Sequence, residues 1–166
     1  MTRLLLLNGP NLNLLGTREP GTYGTETLEA IERRAAQLAH EEGRELLCVP
    51  SNAEHELIAR IHQAAAEKIG LLIFNPGAFT HTSIALRDAV LAVRLPMIEV
   101  HLSNPKAREE FRHTSYFSDI AVGVIAGFGA LGYELAVRAA CRHLSGGTPG
   151  LQTGQPRTPA ARSASS

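Results

Sequence analysis

Short apolar runs alternate along the chain with segments whose apolar residues recur every three or four positions. Residues 4–7 (LLLL) predict a first buried strand. Leu28, Ile31, Ala35 and Leu38 follow at helical spacing, and Gly43 ends that helix. Residues 46–49 (LLCV) predict a second strand. Residues 51–54 (SNAE) then have the form of a capping box, ahead of a helix burying Leu57, Ile61 and Ala65. A third strand is expected at 70–74, and a third helix through Ile84, Leu86, Ala89, Val90 and Val93. A fourth strand follows Pro96 at 97–100. A fifth spans 120–126, ahead of a last helix through Leu131, Leu135 and Val137. Continuous apolar strands separated by amphipathic helices mean a parallel sheet covered on both faces. Five strands fit a flavodoxin-like, doubly wound α/β fold of three layers, α/β/α.

From Ser145 to Ser166 half of the 22 residues are Gly, Pro or Ser, and Leu151 is the one large aliphatic side chain. Such a stretch buries too little to offset its ordering entropy. The expected organisation is therefore a single α/β domain over 1–144 and a disordered tail over 145–166. The 166 residues carry sixteen basic and sixteen acidic side chains, a balance that excludes nucleic acid or an anionic membrane as the main partner. No apolar run is long enough to span a membrane, and the N-terminus has no signal-peptide pattern. Cys48 and Cys141 form no disulfide framework and have no zinc-like spacing. A cytoplasmic protein is expected.

In such a sheet ligands bind beyond the carboxyl ends of the strands, where strand order reverses. Three strand ends carry amides, histidines and hydroxyls: residues 8–13 (NGPNLN), 75–81 (NPGAFTH) and 99–104 (EVHLSN). The sixteen residues 9–24 are long for a connection that typically has about 2–6. They hold Asn11, Arg18, Glu19 and Tyr23 between glycines, which suits either an active-site lid or an exposed linker. Glu99 and His101 alternate along one strand and so share a face. Blander uses exist for others. Asn75 and His81 suit a helix cap, and Arg87, Asp88, Arg108 and Arg112 suit solvated faces. Residues 127–132 (GFGALG) match a dinucleotide-binding pattern, but no second strand with an acidic residue follows, so no NAD site is expected and the glycines are assigned to close helix–sheet packing. No metal-ligand spacing joins His81, Glu99 and His101.

Residues 7–24 (LNGPNLNLLGTREPGTYG) resemble the opening signature of the type II 3-dehydroquinate dehydratases. Residues 75–88 (NPGAFTHTSIALRD) resemble their second motif, and residues 99–104, 107–112 (AREEFR) and 113–116 (HTSY) their third. The similarity runs from residue 4 to about residue 144. It implies a lyase of the shikimate pathway, serving chorismate and aromatic amino-acid biosynthesis. Such enzymes convert 3-dehydroquinate to 3-dehydroshikimate by anti elimination of water through an enolate, without metal, cofactor or Schiff base. By the same resemblance Tyr23 is the proton acceptor, and Arg18 favours its phenolate and stabilises the transition state. A free phenol, at pKa about 10, is rarely ionised at neutral pH. Asn11 serves the enolate oxygen through a water. His101 is the proton donor to the leaving hydroxyl, held by Glu99. Asn75, His81, Leu102, Ser103 and Arg112 bind substrate, with Asp88 supplied by a neighbouring subunit. Arg108 is given a supporting place near Tyr23. A homododecamer, a tetramer of trimers, is implied as well. Lys68 and Lys106 are the only lysines, and neither sits in an apolar setting that would make it a Schiff-base nucleophile. Two other classes compete: a non-catalytic flavodoxin-like receiver module, which would want acidic residues where Asn8 and Asn75 stand, and an enzyme for another polyhydroxylated acid.

Overall fold

A computed structural model describes residues 1–17, 19–23 and 25–146, and of Tyr23 the backbone alone. The expected tail therefore lies outside the described residues from position 147 onward. Strands β1 (Arg3–Asn8), β2 (Leu46–Pro50), β3 (Ile69–Asn75), β4 (Met97–His101) and β5 (Gly123–Ala126) form one parallel sheet in the order β2-β1-β3-β4-β5. A short helical turn, α1 (Pro20–Tyr23), precedes the four covering helices, α2 (Leu28–Glu41), α3 (Glu54–Ala64), α4 (Ile84–Val93) and α5 (Leu131–Leu144). The flavodoxin-like order expected from the pattern is the order found.

The leucine run of β1 shows how the layers are built. Side chains alternate along a strand, so Leu4 and Leu6 join the core beneath α2 and α5, while Leu5 and Leu7 join the one beneath α3 and α4. All four are fully buried. On β4 the same alternation sends Ile98 and Val100 toward α2 and α5 and Met97 toward α3 and α4. Glu99 and His101 share the parity of Met97 and so lie on its side of the sheet.

The structure departs from the pattern in several places. Helix α3 starts at Glu54 with Ala53 at its cap, and Ser51 makes no capping box: its hydroxyl accepts from the Ala53 N–H at 3.0 Å and donates to Glu56. Ala64, rather than Ala65, is the small residue that α3 buries. Strand β5 is shorter than expected, because Ile120 is buried in the loop before it. Along α5 the small residues and Tyr133 face the sheet, whereas Leu131 and Leu135 are exposed. Gly127 and Gly129 occupy a turn with φ of 91° and 59°, so backbone conformation, more than close packing, explains them.

Where strand order reverses, between β1 and β3, the loops after the two strands touch backbone to backbone. The Gly9 N–H donates to the Asn75 carbonyl at 2.8 Å. A Cβ at Gly9 would stand 2.2 Å from the Pro76 carbonyl oxygen. The loops keep this approach because position 9 has no side chain. Gly9→Ala should therefore lower unfolding stability by about 1–3 kcal/mol, the usual penalty of overpacking. Chemical denaturation measures it, and unchanged stability would show that the two loops separate freely.

Candidate active site

A cleft of roughly 710 Å³, counting its open mouth, lies over the carboxyl ends of β1, β3 and β4. The loop after β1 contributes Asn11, Leu12 and Leu15; the loop after β3 contributes Asn75 and His81; β4 and its following loop contribute His101, Leu102, Ser103, Arg108 and Arg112. Residues singled out at the three strand ends thus converge on one cleft.

Each wall has a local reason for its shape. Leu12 and Leu15 are buried in the core, so they pin the start of the long loop after β1. Asn11 takes a left-handed conformation with φ 68°, a region that asparagine tolerates better than most residues. Its N–H donates to the Asn52 side chain at 2.9 Å. The Asn75 side chain accepts from the Gly77 N–H at 3.1 Å, which closes the turn after β3. Ser83, not His81, caps α4 by accepting from the Leu86 N–H at 3.0 Å. His81 instead has its Nδ1 2.7 Å from the Thr114 carbonyl, which orients the ring at the cleft wall. Arg108 donates to the Ser103 hydroxyl at 3.3 Å, and Arg112 to the Glu109 carboxylate at 2.8 Å. His113, given no function by sequence, holds this loop through a 2.9 Å contact between Nε2 and the Arg108 carbonyl.

The strongest chemical signal is on β4. Glu99 is fully buried, and a buried carboxylate without partners is costly. Here it has three. His101 Nε2 lies 2.6 Å from one oxygen, which also accepts from the Ser115 hydroxyl at 2.7 Å; the Ser118 hydroxyl donates to the other oxygen at 2.6 Å. Burial raises the carboxyl's pKa, but the His101 hydrogen bond and charge, with the two hydroxyls, outweigh it, and the group ends below its ordinary value. Glu99 is thus held as a carboxylate. An acceptor-only partner makes Nε2 carry a proton and leaves Nδ1 as the other nitrogen for chemistry. Two arginines and two histidines around the cleft suit an anionic ligand.

Not all expected residues gather there. Arg18 lies outside the described residues, and so does the Tyr23 side chain; the Tyr23 backbone ends α1, in the loop that carries Asn11. Asp88 is exposed on α4, and the cleft of its own chain does not include it. Sequence reasoning missed Ser115 and Ser118, whose signal was the need of a buried Glu99 for more donors than one histidine. It also missed Tyr133, which contacts both Asn8 and Asn75. The signal there was a pair of asparagines ending two strands in register.

The family described as Dehydroquinase class II matches residues 2–141. The chain belongs to this family. A protein of Pseudomonas aeruginosa named 3-dehydroquinate dehydratase 1 is 62% identical over 144 residues, covering 87% of this chain and 98% of that one. A 3-dehydroquinate dehydratase of Hahella chejuensis is 60% identical over 146 residues, covering 88% and 99%. The crystal structure of type II dehydroquinase from Propionibacterium acnes superimposes with a TM-score of 0.81 at 42% identity, covering 85% of this chain and 97% of the other. The fold and the family expected from the three motifs are those found.

The Glu99 environment of this class II dehydroquinase chain makes a pH prediction. Its carboxyl ionises at lower pH when folded than the ordinary 4.5, so between the two values the unfolded chain binds more protons. The stability it contributes is complete above that ordinary value and is lost as pH falls through the lowered folded one. Glu99→Gln should therefore be less stable than wild type at neutral pH, and the gap should narrow in strong acid. Denaturant titrations across that range check this; a gap independent of pH would contradict it.

Proposed function

We propose that the cleft dehydrates 3-dehydroquinate to 3-dehydroshikimate by anti elimination through an enolate, in the shikimate pathway. The observation that carries this reading is the Glu99-held His101 in a cleft rich in donors, within a class II dehydroquinase. Relatives named 3-dehydroquinate dehydratase point to the substrate.

The chemistry asks for a base, a stabiliser of developing negative charge, and an acid. Tyr23 as phenolate takes the proton from the carbon beside the ketone, with Arg18 five residues before it stabilising the charge. The electron pair moves onto the ketone oxygen, which Asn11 serves through a water. As the enolate collapses the C–O bond breaks, and His101 gives its proton so that water, rather than hydroxide, departs. The proton on Tyr23 then passes through solvent to restore His101, which closes the cycle. Asn75, His81, Ser103 and the Leu102 backbone address the substrate hydroxyls, and Arg112 its carboxylate. Neither metal nor cofactor is required.

We place catalysis within residues 1–144. Asp88, exposed and outside its own cleft, suits a residue lent to a neighbour's site in a homododecamer. Exposed apolar side chains at Val124, Phe128, Leu131 and Leu135 are consistent with subunit contacts. Among the described residues no helix is long and apolar enough to cross a membrane, and both thiols are free, which suits the cytoplasm.

Adding 3-dehydroquinate should produce the ultraviolet absorbance of a conjugated enone without added metal. Tyr23→Phe should abolish it, and His101→Ala should slow it roughly 10²–10⁴-fold, as for other general acids. Near-wild-type turnover in either variant would overturn the role given to that residue, and no enone from the wild-type protein would overturn the reaction.

A further inference from the structure

On the opposite side of the sheet from Glu99, a second chain of polar groups ends at the cleft. Asn8 and Asn75 are register partners at the ends of β1 and β3, and both are buried. Their side chains have the parity of Leu4, Leu6, Leu71 and Ile73, and so point toward α2 and α5. There Tyr133 of α5 bridges them: Asn75 Nδ2 donates to its oxygen at 2.7 Å, and its hydroxyl donates to Asn8 Oδ1 at 2.8 Å. Asn8 Nδ2 then donates to the half-buried Glu32 of α2 at 2.7 Å.

Every bond in this series points the same way, and Glu32 is the reason. A carboxylate accepts and does not donate, so Asn8 turns its amino group to Glu32 and its oxygen to Tyr133. The Tyr133 proton is thereby committed to Asn8, and its lone pair faces Asn75. Asn75 must then present Nδ2 to Tyr133 and Oδ1 to the Gly77 N–H. An isolated asparagine amide has two flipped orientations of opposite polarity. Here one is selected from outside the cleft, leaving one N–H and one Oδ1 lone pair for a ligand.

We propose that Tyr133, Asn8 and Glu32 are positioning residues that hold Asn75 in the polarity that matches a substrate hydroxyl. The inference rests on the dehydration reading for the identity of the substrate, but its geometry is independent of it. Asn75 gains nothing new in contact; the relay removes the wrong orientation from the unliganded protein, which improves apparent affinity by preorganisation. Substrate and transition state share this hydroxyl contact, so the relay acts mainly on KM.

Steady-state kinetics of Tyr133→Phe, Asn75→Ala and the double variant with 3-dehydroquinate provide the test, alongside thermal melting of each. Loss of the Tyr133 hydroxyl should raise KM about tenfold, the scale of one lost hydrogen bond, with kcat changed less than about threefold. In the Asn75→Ala background the same change should have no further effect on KM, because Tyr133 acts through Asn75. An unchanged KM in Tyr133→Phe, or an equal increment in both backgrounds, overturns the proposal. Should Tyr133→Phe fail to fold, Glu32→Leu takes its place: its KM should rise, and Glu32→Gln, which keeps an acceptor for Asn8, should restore it. Equal KM values for those two variants would refute the relay. If the wild-type protein does not turn over 3-dehydroquinate, the dehydration reading fails while the relay stays testable. The Asn75 side-chain amide signal in ¹H–¹⁵N spectra should then be slowly exchanging in wild type and fast in Tyr133→Phe, and identical exchange would refute it.

Discussion

The buried bond between Glu99 and His101 is the interaction on which the site depends. A carboxylate placed inside a sheet is tolerated only when its lone pairs are used. Glu99 meets that condition with one imidazole and two serine hydroxyls. The serines come from the loop between β4 and β5, which the buried Phe117 and Ile120 tie to the core beneath α3 and α4. Satisfying the carboxylate therefore folds that loop over the strand end. The same act fixes which nitrogen of His101 holds the proton at Glu99 and which is left for a ligand.

The two faces of the sheet contribute differently to the cleft. Beneath α3 and α4 the Glu99 cluster holds the His101 imidazole at the cleft. Beneath α2 and α5 the Asn8–Tyr133–Asn75 cluster holds the Asn75 amide at the cleft wall. Both clusters occupy the last residue or residues of their strands, where the apolar run ends and ladder pairing gives way to loops. The reversal of strand order supplies the opening, and the loops beside it meet closely at Gly9 and Pro76. A parallel sheet thus concentrates polar side chains at one edge of an otherwise apolar core.

Much of this was legible in the sequence because the signals are local. The LLLL of β1, the Pro96 that precedes β4 and the three polar strand ends can all be read within a few residues. The parts that were not legible depend on residues far apart. Ser115 and Ser118 lie 16 and 19 positions from Glu99, and Tyr133 lies 125 from Asn8. Along α5 apolar size misled: the tight approach to the sheet favours Ala136 and Ala140 over Leu131 and Leu135. The SNAE segment resembled a capping box because its residue types fit, but the chain enters α3 two residues later than that motif needs.

Nitrogen-15 spectra of histidine-labelled protein test the central claim most directly, since ring ¹⁵N shifts report which nitrogen bears the proton. If Glu99 is a carboxylate bonded to Nε2, the neutral ring of His101 carries its proton on Nε2 and leaves Nδ1 bare. A neutral ring carrying its proton on Nδ1, with Nε2 bare, would contradict the account.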